Sequence, residues 1–504
     1  MIAQYKSLVY NHKEWFTEEN EYNLDGAFDM IKKWEQCTKT KKVYLVWITS
    51  LLLGYFAYQQ PLNKLLDLIR QNGIISISMS SVLANKQIVI QAILPTIMLW
   101  ILVIAVWMLL FIFIWKKENK LSGAWLEKLT DDEKSLDILF YIGMWIELIW
   151  ASLYYATFHM PFATVLVFLA MQCFAIRIIL TEHTRKEWIW ICVLVALGIA
   201  CEFYTTRGFV LRAVLLIVAS KGIDYKKVLK YYLIVNAIAY IVIVLVSGLG
   251  ISGNWMEEDA FRAVDEVANR YVWGFNSPNT THYALIRLVL VAMYIWWDKL
   301  KLWHMVLVFG VNYWLYMLTD SRTGFMVGVA ASVLGIFFLS FKKMRDWRLW
   351  TYLAIAMIGV LIVFSLHFLQ WDFYEYDVLR SCPDYVYRVG DLMVGRIHQA
   401  LKYTQGIEIS PFGTRKSGVY CDMGYIKFFL QEGFLIYGIY FFVLGRMLLW
   451  QQKTKDYAGY IIVVAISIRM LMESSFVPFV FQNVILLLVI GKWQELLLPL
   501  KEKE

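Results

Sequence analysis

The chain has 504 residues, of which 60% are hydrophobic and 17% charged, against roughly 45–50% and 25% in soluble domains. With a mean hydropathy of +0.54, this excludes a soluble globule, a disordered chain and a disulfide-stapled miniprotein. The net charge of +8 has its simplest origin in cytoplasmic lysines rather than in nucleic-acid binding.

The expected fold class is therefore all-α, a polytopic integral membrane protein. A spanning helix needs about 20 largely apolar residues. In chain order the candidate spans are 43–59, 88–115, 138–157, 161–180, 188–202, 208–220, 228–252, 279–297, 302–318, 323–341, 349–370, 424–445, 457–475 and 477–491. That is about 14 transmembrane helices with one long extracellular loop between helices 11 and 12. The organisation expected is a cytoplasmic N-terminal segment 1–42, spans 1–11 over 43–370, the loop 371–423, spans 12–14 over 424–491, and a cytoplasmic tail 492–504. The polar, lysine-bearing residues 1–42 lead to the expectation that no cleavable signal precedes the first span. The weakest span is 208–220, which is short and carries Arg212.

Charge placement supports this count. With both termini cytoplasmic, 30 of the 48 Lys and Arg fall on or beside inside segments and 13 outside. Dropping 208–220 would invert every later loop and put the Lys342-Lys343-Met344-Arg345 cluster outside. No Walker motif and no GxGxxG is present, which disfavours an ATP-driven pump. The six cysteines show no CxxC and no metal-ligand spacing. Cys382 and Cys421 flank the long loop and are read equally as a pair or as two free thiols.

Unusual polar residues collect on the expected outer side. Gly274-Phe275-Asn276-Ser277-Pro278-Asn279-Thr280-Thr281-His282 precedes span 8; Pro278 and Ser277 suit a helix start, and Asn279 and His282 equally suit a site. The Thr319-Asp320-Ser321-Arg322-Thr323 turn holds Asp320 and Arg322 at helix ends, as an ion pair or as an anion-binding entry. The loop 371–423 is rich in aromatics and carries Arg388, Arg396, His398 and Asp422; a helix is expected over 393–405 and a turn at 410–413. Aromatics mixed with arginines suit sugar stacking and phosphate pairing, or an interfacial belt under a structured lid. Arg469 and Glu473, four apart on one helix face, carry charge into an apolar span. Such residues mark function or an interhelical salt bridge.

Taken in order, these residues resemble the Wzy-type polysaccharide polymerases of the O-antigen ligase and polymerase superfamily. The matching residues are Gly274, Phe275, Pro278 and Asn279; then Ser321, Arg322, Thr323 and Gly324; then Gly395 and Arg396. Phe412-Gly413, the loop exit Asp422-Met423-Gly424-Tyr425, Gly433, Glu473 and Asn483 follow. The likeness covers about residues 205–490. It departs where Arg396 is followed by Gly406, one residue short of the Arg-x10-Gly spacing of some polymerase loops.

The resemblance implies a metal-independent glycosyltransferase without cofactor, at the outer face of the bacterial cytoplasmic membrane. Its donor is a polyprenyl-diphosphate-linked oligosaccharide, and its products are capsular, exopolysaccharide or O-antigen chains. Arg322, Arg396, Arg388 and Arg469 are the expected diphosphate ligands. His398, Asp422 and Glu473 compete for the catalytic roles. Asn279, His282, Asp320 and Tyr425 are expected to position sugar. The partners implied are the lipid-linked substrate, membrane lipids, and a flippase and chain-length regulator of the same pathway, with no nucleic acid. A ligase sharing fold and donor, and a lipid-linked oligosaccharide flippase, are the alternatives.

Overall fold

A computed structural model describes residues 133–154, 156, 163–205, 209–259, 268–370, 384–393, 395–414, 421–474 and 480–497. The N-terminal segment 1–42, the spans expected at 43–59 and 88–115, the tail from 498 and Cys382 lie outside the described residues. The described chain is mostly helical. Among the described residues, seven helices are long and apolar enough to cross a membrane.

The order begins with α1 (Glu133–Leu153), α2 (Ala163–Leu180), α3 (Arg185–Thr205), α4 (Phe209–Ala219) and α5 (Tyr225–Gly248). Two arginines in these apolar helices are paired with acids of another helix. On the eleven-residue α4, Arg212 donates through Nε to Glu147 of α1 at 3.1 Å and through Nη2 to the other carboxylate oxygen. Trp150 lies over its guanidinium at 4.4 Å. Arg177 of α2 pairs with Asp137 at 2.8 Å and also donates to the Lys221 carbonyl. A lone buried charge would be costly, so each arginine needs its partner.

An antiparallel hairpin follows, β1 (Met256–Asp259) against β2 (Ala268–Tyr271), with Glu257 opposite Arg270. It was not expected, because neither strand shows apolar alternation. Backbone bonds from Val272 and Trp273 to the Trp255 carbonyl, and from Gly274 to Asn254, close its base. Trp273 itself sits at φ +47, a conformation a bulky residue rarely adopts. Rings of Trp255, Tyr271 and Trp314 lie 6.1–6.4 Å from its own. Gly274 at φ +84 lies against α5, where an added Cβ would come within 2.8 Å of Ser247.

Next come α6 (Pro278–Ile295), α7 (Leu302–Thr319), α8 (Arg322–Ser340) and α9 (Arg348–His367). Ser277 caps α6, accepting from the Thr280 N–H at 3.2 Å, with Pro278 at the first helical position. Ser321 caps α8 in the same way, accepting from Gly324 at 3.3 Å. Small residues let α8 approach its neighbours closely. A Cβ at Gly324 would fall on the His282 ring, and one at Gly328 on the Asn312 amide.

The loop contains α10 (Asp384–Leu392) and α11 (Arg396–Thr404), the latter inside the helix expected over 393–405. Val386, Ile397, Ala400 and Leu401 pack with Phe368, Met423 and Ile426, so an apolar cluster anchors the loop to the helix ends that flank it. Cys421 is a buried free thiol, and burial pushes it up to about 12. At the expected turn, the Ser410 hydroxyl accepts from the Phe412 N–H at 3.2 Å.

The single span expected over 424–445 is instead two helices, α12 (Gly424–Glu432) and α13 (Phe434–Thr454). The break is Gly433 at φ +87, whose missing Cβ would lie 2.4 Å from the Pro411 carbonyl oxygen and the Gly413 nitrogen. The loop backbone thus reaches into the helix line, and only glycine admits it. α14 (Tyr457–Met470) ends earlier than expected and is buried along nearly its whole length. It packs against α8 and α13, with contacts to α6, α9 and α12. The span expected over 477–491 holds a 3-10 turn (Val480–Gln482) and the short α15 (Val484–Val489), before α16 (Trp493–Leu497). Asn483 caps α15, accepting from Ile485 at 3.1 Å.

Candidate functional site

Four separate stretches of chain meet at Glu473, just past the end of α14. Its Oε1 accepts from Asn279 Nδ2 at 2.9 Å, Arg396 Nη2 at 3.0 Å and Thr323 Oγ1 at 3.2 Å. Its Oε2 faces Arg469 Nη2 at 3.9 Å. The carboxylate is 7% exposed, so its charge needs this shell. Local structure explains each donor's place. Asn279 and Thr323 occupy the first turns of α6 and α8, where the Ser277 and Ser321 caps fix the backbone. Arg396 opens α11 behind Gly395, which turns the chain at φ +73.

Arg396 is only half engaged by protein. Nη2 bonds Glu473, whereas Nη1 is buried and has no hydrogen-bond partner among the described residues. A buried guanidinium N–H left without an acceptor is costly and calls for an explanation. Beside the pair lies Asp422, at the loop exit. Burial raises its carboxyl above the ordinary range, and the Glu473 charge raises it further, against the pull of Arg396, Lys427 and Arg469. Lys427 Nζ donates to Ser474 Oγ at 3.3 Å.

Behind Glu473 the positive charge continues inward. The Arg469 guanidinium lies 3.5 Å from the centre of the Tyr283 ring, and that of Arg287 lies 5.0 Å from the same ring. Arg287 also donates to the Tyr240 hydroxyl and to the Gln482 carbonyl. Both guanidiniums spread over an aromatic face, which suits desolvated cations.

The other expected residues divide. Arg322 opens α8 next to Thr323, and its side chain is exposed. Arg388 is exposed on α10. His398, one turn into α11, lies against α10, where a Cβ on Gly390 would come within 2.3 Å of its ring. His282 is fully buried between helices, bonded to Thr319 Oγ1 and Asn312 Oδ1 at 3.0 Å each. Asp320 takes a left-handed turn at φ +44, and its carbonyl accepts from Arg270 at 3.1 Å. Tyr425 is buried, its hydroxyl donating to the Ser467 carbonyl at 2.9 Å and its ring stacked on Phe441. Thus Asn279, Arg396, Asp422, Arg469 and Glu473 converge on one locus, while His282 and Tyr425 are enclosed in helix packing. Sequence reasoning missed Arg270 and Arg287 as parts of this region. Arg287 carried a signal, a lone arginine in the apolar run of α6; Arg270 stood in a polar stretch and carried none.

An apolar cavity of about 150 Å³ lies between α3, α4, α13 and α15, lined by Leu197, Ile217, Val443 and Trp493 among others, with Glu432 and Asn483 as polar members. On its wall, Asn483 Nδ2 donates to the Tyr440 hydroxyl at 3.2 Å. Among the described residues, no group of three or more His, Cys, Asp or Glu side chains is arranged to hold a metal ion. No protein-family model, curated protein or solved structure matches the chain.

Proposed function

We propose that the protein is a Wzy-type polysaccharide polymerase. It joins polyprenyl-diphosphate-linked repeat units at the outer face of the bacterial cytoplasmic membrane. The observation that carries this reading is Arg396, whose Nη2 bonds Glu473 while its Nη1 is buried without an acceptor among the described residues. A phosphate oxygen is the acceptor such a fork matches best. Arg469 adds charge beside it, and the exposed Arg322 opens α8 next to Thr323.

In the proposed reaction, a sugar hydroxyl of the acceptor unit attacks the anomeric carbon of the donor glycan. The bond from that carbon to the diphosphate oxygen breaks, and the polyprenyl diphosphate leaves with the electron pair. Arg396 and Arg469 stabilise its growing charge. The hydroxyl proton passes to Asp422, whose raised carboxyl lies nearer the range useful to a general base than an ordinary aspartate. Glu473 holds the arginines in place. No metal enters this scheme.

Deleting the gene in a host that makes the polymer tests the reading. Single lipid-linked repeat units should accumulate on the outer face of the membrane. Accumulation on the cytoplasmic face would identify a flippase, and long lipid-linked chains missing only from their final acceptor would identify a ligase. Orientation has its own test. In a background lacking the native cysteines, residues replaced by cysteine near Lys226 and Lys343 should resist an impermeant thiol reagent in intact cells, and one near Tyr385 should react. The opposite pattern would invert the topology.

A further inference from the structure

We infer that Arg270, on the hairpin strand β2, is a positioning residue that sets both neutral donors on Glu473. The inference rests on reading the Glu473 locus as the glycosyl-transfer site. The Arg270 side chain is 7% exposed and reaches across two helix ends. Its Nε donates to the Thr319 carbonyl at 2.8 Å, and its Nη2 to the Asp320 carbonyl at 3.1 Å. These are carbonyls at the end of α7, where a cation is favoured by both unsatisfied oxygens and the helix dipole. The same Nη2 lies 3.4 Å from Asn279 Oδ1 at the start of α6.

That last, longer contact decides the orientation of the Asn279 amide. A guanidinium has only donors, so the amide atom facing it must be the oxygen. The amide nitrogen is then turned the other way, onto Glu473 Oε1 at 2.9 Å. A carboxylate only accepts, so both ends of the chain demand the same orientation. Without Arg270 the amide keeps its bond to Glu473 and loses the partner that fixes it from behind.

The clamp on α7 sets the second donor. The chain leaves α7 through Asp320 at φ +44, Ser321 caps α8, and Thr323 donates to the same Glu473 oxygen at 3.2 Å. Holding the Thr319 and Asp320 carbonyls therefore fixes where α8 begins. His282 braces the same end through Thr319 Oγ1. One side chain on the hairpin thus governs two of the three hydrogen bonds that orient Glu473, and Glu473 in turn orients Arg396.

Two measurements on the full chain separate this inference from the functional reading beneath it. The first needs no activity. Thr323→Cys, in a background lacking the native cysteines, reports on the start of α8 through its reaction with a small impermeant thiol reagent. Thr323 is buried, so reaction should be slow. Adding Arg270→Ala should speed it at least about tenfold, by local opening. Arg270→Lys should fall between, because it keeps charge near the carbonyls but loses the fork. An unchanged rate in Arg270→Ala overturns the positioning role, whatever the protein catalyses.

The second measurement is chain growth in cells at matched folded amounts. Arg270→Ala and Asn279→Ala should each slow growth about tenfold or more. Their combination should be little worse than the slower single variant, since both act through one oxygen of Glu473. Fully multiplicative losses would mean that Arg270 serves the hairpin alone, and would overturn the inference. If Thr323→Cys labelling responds to Arg270→Ala but Asn279→Ala and Glu473→Gln leave chain growth intact, the positioning stands and the polymerase site lies elsewhere.

Discussion

Replacing Arg396 by alanine should stop chain growth. Removing a charge-assisted donor from the transition state costs roughly 3 kcal/mol, a rate loss of about a hundredfold or more. Arg396→Lys should recover only part of it, because lysine keeps the charge without the planar fork. The complication is stability. Arg396 and Glu473 form an ion pair at 3.0 Å with both side chains largely buried, and removing one partner from such a pair costs about 3–5 kcal/mol. Loss of polymer in the single variant could then reflect loss of folded protein. Combining Arg396→Ala with Glu473→Gln removes the stranded charge, so the folded amount should return toward wild type while chain growth stays blocked. Size-exclusion profiles of a fluorescent fusion give the folded amount, and the length distribution of lipid-linked glycan gives the activity. Long chains made at the wild-type rate by Arg396→Ala would remove Arg396 from the mechanism and with it the observation that carries the functional reading.

Much of the helix pattern is legible in the residues. Apolar runs, Ser277-Pro278 and the Ser321 turn mark where α6 and α8 begin, and the structure starts them within one residue of expectation. Hydropathy is blind to backbone angle, however. The run 424–445 looks continuous because Gly433 does not interrupt its apolar character, yet the loop backbone presses against that glycine and splits the helix. The weak 208–220 stretch illustrates the converse. Arg212 looks prohibitive alone, and its partner Glu147 lies 65 positions earlier on α1. Pairings of that separation have no local signature.

The site shows the same division. Arg469 and Glu473 could be singled out as charges carried into an apolar span, and Asn279 and Arg396 by the order of motifs in which they stand. Their meeting at one carboxylate depends on how α6, α8 and α14 pack and on where α11 lies. Arg270 belongs to neither category. It follows a stretch already rich in polar residues, and only the hairpin register carries it to the ends of α6 and α7.

The rate of chain growth should depend on Asp422 and on pH in a direction the environment dictates. Burial first, and the neighbouring Glu473 second, raise its carboxyl above the ordinary aspartate range. The folded protein therefore binds this proton more tightly than the unfolded chain, whose aspartates titrate near about 3.9. The linkage follows: relative to unfolded, the raised group favours the folded state at low pH, and that contribution is lost as pH rises through the folded value. Catalysis runs the other way, since a base must be deprotonated to accept the hydroxyl proton. In membranes supplied with lipid-linked repeat units, the rate of wild-type chain growth should rise with pH through the raised value and then level off. Asp422→Asn should lower the plateau by about a hundredfold or more, within the range general base catalysis contributes, and should flatten the acid limb. The asparagine variant should fold at least as well as wild type, because it removes the repulsion with Glu473 without removing a cation. An acid limb that persists unchanged in Asp422→Asn would assign the base to another group, with His398 next in line two residues beyond Arg396 on α11.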